Sequence, residues 1–147
     1  MDPTVKLIFS IFAGATVLLN LYGAFTANRK LFLWGLCLFS ILPIIGEATG
    51  FNTDKASVHI AVIILFVVQL ILTLPVTRDT ANDNNAVVSK LIFKMMLSVL
   101  VINIGGIIYI LCFNSGVPHR FGYCHAVIAL SILYVMIRRM SGKAFWN

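Results

Sequence analysis

Apolar residues run along this chain in five blocks, at about 5–27, 31–50, 57–77, 87–113 and 121–137, with short polar interruptions between them. Each block is near the ~20 residues that a helix needs to cross a ~30 Å hydrocarbon layer. The fourth is long enough to tilt or protrude. Barrel strands would alternate with a period of two and be about half as long. A backbone in lipid must satisfy its own polar groups, so the blocks predict helices. The expected fold is all-α: one domain over residues 1–147, a bundle of five transmembrane helices.

The interruptions are brief. They fall at 28–30, at 51–56, at 78–86 (RDTANDNNA) and at 114–120, where Gly116 and Pro118 favour a turn. Thr53 or Asp54 is expected to cap the third helix and Asp83 to Asn85 the fourth, by accepting from free backbone N–H groups. No loop is long enough for a further domain, and no internal repeat is visible.

Composition strengthens this picture. Apolar residues make up 60% and charged residues 11%, against roughly 45–50% and 25% in an ordinary soluble domain. A soluble enzyme, a secreted disulfide scaffold, a disordered tail and a nucleic-acid reader are thereby excluded. The net charge of +6 matters through its placement. Five crossings put Arg29, Lys30, Arg78, Lys90, Lys94, Arg138, Arg139 and Lys143 on one side, and only Lys6, Lys55 and Arg120 on the other. Positive residues collect on the cytoplasmic side, which predicts an outer N-terminus and a cytoplasmic C-terminus. Trp34 and Trp146 then fall at the cytoplasmic boundary. The opening MDPTVK has no basic leader region or cleavage site, so the first helix is expected to be retained. No N-x-S/T sequon occurs, which fits a bacterial inner (plasma) membrane.

In such a chain the polar residues within the spans carry the information, because each is costly without a partner. Ala13, Thr16, Asn20, Gly23 and Ala27 share one face of the first helix, where small residues let another backbone approach. Ser40, Pro43, Glu47 and Gly50 repeat that spacing in the second helix. Gln69, Thr73 and Thr77 follow in the third, and Asn103 with Gly105 and Gly106 in the fourth. Asn20, Gln69 and Asn103 lie near their segment midpoints, placed for interhelical hydrogen bonds or for lining a polar path.

Glu47 is the single carboxylate inside an expected span, and Pro43 can kink the same helix beside it. It is a candidate proton or cation site together with Asn103 and His125; hydration at the interface, or pairing with Lys55 or Arg120, is the plainer account. No metal site or cofactor is expected. A b-type haem between His59 and His125 is the alternative, their heights differing by roughly 6 Å on the helix rise. Cys112 and Cys124 flank the outer loop, where a disulfide is chemically permitted. Cys37 reads as a small apolar core residue.

No catalytic triad, HExxH site, P-loop or dinucleotide fingerprint is present, so an enzyme is not expected. The leading expectation is an accessory or assembly subunit of a larger membrane complex, in contact with lipid and with other membrane subunits or copies of itself. The alternative is a small oligomeric channel or a proton- or cation-coupled transporter using Glu47 and the buried amides.

Overall fold

The computed structural model describes residues 3–75, 86–113 and 116–140, the side chains of 86–89 excepted. Among these residues it contains five α-helices: α1 (Pro3–Phe25), α2 (Arg29–Asp54), α3 (Ser57–Thr73), α4 (Ala86–Leu111) and α5 (His119–Met140). α1, α2, α4 and α5 are long and apolar enough to cross a membrane. α3 is not. It has 17 residues, which at 1.5 Å per residue is about 26 Å. The expected third span, to residue 77, is cut short because Pro75 forces its predecessor out of the helical region. Leu74 accordingly sits at φ −59°, ψ 118°.

The α1–α2 connection is closed by local hydrogen bonds. Ala27 takes a left-handed conformation (φ 57°), and the Asn28 N–H returns 2.9 Å to the Gly23 carbonyl, which satisfies an end group of α1. The Asn28 side chain then accepts from the Leu31 N–H at 3.1 Å and starts α2. α2 passes through Pro43 and runs four residues beyond its expected end, to Lys55 in a left-handed cap. The expected side-chain cap of α3 is not formed: its N-cap is Ala56, with no side-chain hydrogen bond to the first turn. Asp54 accepts from the Ala56 N–H at 2.8 Å, whereas the Thr53 hydroxyl turns back to Thr49. Asp83 to Asn85, Thr77 and Trp146 lie outside the described residues.

α1 packs between α2 and α5, α2 carries α3 on its other flank, and α4 packs on α5; α3 and α4 meet only sparingly. The result is an incomplete ring with a seam between α3 and α4. Its core is built from Ala13, Ala24, Phe32, Phe39, Val99, Ile128, Ile132 and Val135, on α1, α2, α4 and α5. Apolar residues on the outer faces of all five helices are exposed, among them Ile11, Ile71, Leu91 and Leu130.

The small-residue faces are where backbones come closest. Gly23 lies against the backbone of Leu31 and Phe32, and Gly35 against that of Asn20. Cys112 and Cys124 are free thiols and do not form the disulfide that the sequence permits. Cys112 is exposed just past the end of α4, whereas Cys124 is half-buried against the core from within α5.

Candidate functional site: a polar chain beneath an apolar cavity

Two of the three amides near the segment midpoints, Gln69 and Asn103, are brought together, and their bonds have fixed directions. The Ser40 hydroxyl donates to the Leu36 carbonyl at 2.8 Å, so its oxygen is left to accept from Gln69 Nε2 at 3.0 Å. Gln69 Oε1 accepts from Asn103 Nδ2 at 2.9 Å. That nitrogen also faces the Val99 carbonyl at 2.8 Å, and a carbonyl only accepts, which fixes the amide orientation. Asn103 Oδ1 is thereby turned to His125 Nδ1, 2.9 Å away. The chain links α2, α3, α4 and α5, and Ser40, Gln69 and Asn103 have no solvent exposure.

Asn20 belongs to a separate cluster. Its Nδ2 donates to the Phe32 carbonyl at 3.1 Å, and its Oδ1 accepts from the Ser131 hydroxyl, joining α1 to α2 and α5. Ser131 was not legible as a partner, since a lone serine in an apolar helix usually bonds its own backbone.

The space on the two sides of the chain is unequal. Toward the Arg29 end, between Phe32, Leu36, Met96 and Val99, the free volume is about 20 Å³, near the least that holds one water. Toward the Asp54 end a cavity of about 710 Å³ opens, lined by residues of both α3 and α4 among others. Its walls are mainly apolar, with Phe39, Leu42, Leu65, Phe66, Ile102 and Ile110 among them. Pro43, Gly105 and Gly106 line it as well, together with Lys6 and Tyr109, which the sequence did not single out.

Glu47 stands at the far end of this cavity, and its partner is neither Lys55 nor Arg120. Those side chains lie over the rings of Phe51 and Phe121. Glu47 Oε2 instead meets His59 Nδ1 at 2.5 Å. The other ring nitrogen, Nε2, reaches the Asp54 carboxylate at 3.0 Å. Both ring nitrogens lie against carboxylates, so the His59 side chain ties the end of α2 to the start of α3.

The two histidines of the alternative haem reading, His59 and His125, are held apart. His125 meets the Phe39 ring edge-on, with centroids 4.9 Å apart, whereas His59 lies against Gly50. Those levels are 11 residues apart along α2, or about 16 Å rather than the ~6 Å expected. Among the described residues no three His, Cys, Asp or Glu side chains are grouped to hold a metal ion.

The paired glycines of α4 differ in role. A methyl group on Gly105 would meet nothing within 4 Å, whereas one on Gly106 would come within 2.9 Å of the His125 ring. That ring is also in contact with Phe39 and Phe66 and has little room to yield. Gly106→Ala is therefore expected to destabilise by about 1–3 kcal/mol through overpacking. Gly105→Ala is expected to be neutral or slightly stabilising through helix propensity. Unfolding by sodium dodecyl sulfate in mixed micelles separates the two.

The chain matches no family model, no curated protein and no solved structure.

Proposed function

We propose that this is an integral membrane protein that binds a small apolar or amphiphilic molecule in the cavity between α2, α3, α4 and α5. In this reading the N-terminus lies outside and the C-terminus in the cytoplasm, so the cavity serves the outer half of the bilayer. One observation carries the proposal: a volume of about 710 Å³, mainly apolar, with polar side chains at both ends. Sites for small molecules are usually of this size and character, about 300–1,000 Å³ with few polar groups. The tight packing at the Arg29 end, where the free volume between Phe32, Leu36, Met96 and Val99 is about 20 Å³, favours a binding or carrier protein over an open pore. Binding and passage, rather than bond chemistry, are what such walls support.

The accessory-subunit expectation rests on composition. The exposed apolar side chains are distributed around the bundle, as lipid contact alone requires, and mark out no single docking face.

The test is native mass spectrometry of the protein extracted from its own membrane in nanodiscs. A small molecule retained at one per chain, and lost in Gly105→Phe, is the expected result. That substitution puts a ring into the cavity from an open position. Retention unchanged by Gly105→Phe, or stoichiometric assembly with larger subunits and no small ligand, overturns the proposal. Glu47→Gln is expected to weaken retention by unfastening His59 at the outer end. Unchanged retention removes Glu47 from the site.

A further inference from the structure

The direction of the polar chain has a chemical consequence at its last member. Ser40 donates to a carbonyl, Gln69 to Ser40, and Asn103 to both Gln69 and Val99. Asn103 then has only its oxygen left for His125, so His125 must carry its proton on Nδ1. With one ring nitrogen protonated and the ring neutral, Nε2 is a bare lone pair. No described residue donates to it, although His125 is only 2% exposed. A buried acceptor without a donor is costly, and His125 is one of the walls of the large cavity.

We infer that the inner end of the cavity is a subsite for a hydrogen-bond donor. His125 Nε2 accepts from the hydroxyl of a lipophilic alcohol or phenol whose apolar body lies along Phe39, Phe66 and Ile102. This rests on the cavity being a binding site and adds the class of ligand. Asn103, Gln69 and Ser40 are positioning residues: they touch no ligand but hold the tautomer that presents the lone pair. The same geometry selects against ethers, ketones and ionised carboxylates, which bring only acceptors to an acceptor. The choice resembles that of any site built around a buried hydrogen bond, where the analogue lacking the group leaves its partner bare.

The test compares 1-dodecanol with its isomer methyl undecyl ether, using the full chain in nanodiscs with ¹⁵N-labelled histidine. The wild-type protein is expected to show His125 protonated at Nδ1. It should retain the alcohol about fivefold to tenfold better than the ether, in line with one buried hydrogen bond. The Nε2 resonance should move with the alcohol and stay still with the ether. His125→Phe should retain both compounds and lose the preference. Should that variant fail to fold, the wild-type comparison decides without it. Equal retention of alcohol and ether relative to Gly105→Phe, with Nε2 unmoved, overturns the donor subsite and leaves the cavity reading standing. A proton on Nε2 in the free protein also overturns it. Retention of neither compound above the Gly105→Phe level removes the subsite and the cavity reading together.

Discussion

Gly23→Ala will force the α1–α2 hairpin apart, with a loss of stability above about 3 kcal/mol, beyond the usual range for overpacking. The added methyl would strike the backbone nitrogen and Cα of Phe32 and the carbonyl carbon of Leu31. A side chain in the way can change rotamer, but backbone within a helix cannot. Relief requires α1 to move away from α2, which also strains the Asn28 N–H bond to the Gly23 carbonyl and the Asn20 bond to Phe32. Gly14 is the internal control, since a methyl group there meets nothing within 4 Å. Gly14→Ala should stabilise α1 by up to about 1 kcal/mol through propensity alone. Opposite signs for two glycine-to-alanine changes in one helix, read from unfolding in mixed micelles, are the expected signature. Equal effects would mean that α1 and α2 do not approach as described.

Asn103→Ala should cost about 2 kcal/mol. Asn103 both donates and accepts across helices, so its removal leaves Gln69 Oε1 and the His125 Nδ1–H without partners. A buried polar group stripped of its partner costs about 1–3 kcal/mol in water-soluble proteins. Hydrogen bonds between membrane helices average nearer 0.6 kcal/mol, because the unfolded chain in lipid finds other partners. The lower end of the first range therefore governs, doubled for two orphaned groups. Ser98→Ala, which removes only a bond to its own helix at an exposed position, should stay within about 0.5 kcal/mol. A double-mutant cycle of Asn103→Ala with His125→Phe should show strong coupling, since each change removes the same bond. Independent effects would mean that the two side chains do not pair.

How much of this was legible in the sequence follows from the physics of each feature. Asn20, Gln69 and Asn103 stood out because an amide in the middle of an apolar run must find a partner. Which partners they find depends on the relative heights of neighbouring helices, and no single segment encodes that. The pairing of Glu47 illustrates the limit. Charge suggested Lys55 or Arg120, but the end of α2 winds on to Asp54 and brings His59 beside it. Helix starts were readable to within two residues, from where each apolar run begins. The early end of α3 was not read: the apolar run carries on past Pro75, and the expected helix followed the run. The hollow beside the seam was not readable, since it arises from what α3 and α4 fail to fill.

In the membrane placement proposed above, the shortness of α3 also bears on the surrounding lipid. In a bilayer with a core of ~30 Å, a helix of about 26 Å meets hydrocarbon a few ångströms thicker than itself. The mismatch is relieved by local thinning of the membrane, at a fraction of a kcal/mol per ångström. The other four helices are long enough to leave the bilayer undisturbed. The dimple would therefore form on one side only, at the seam between α3 and α4, bringing headgroups inward there. Molecules travelling in the plane of the membrane would find their shallowest approach at that point of the perimeter.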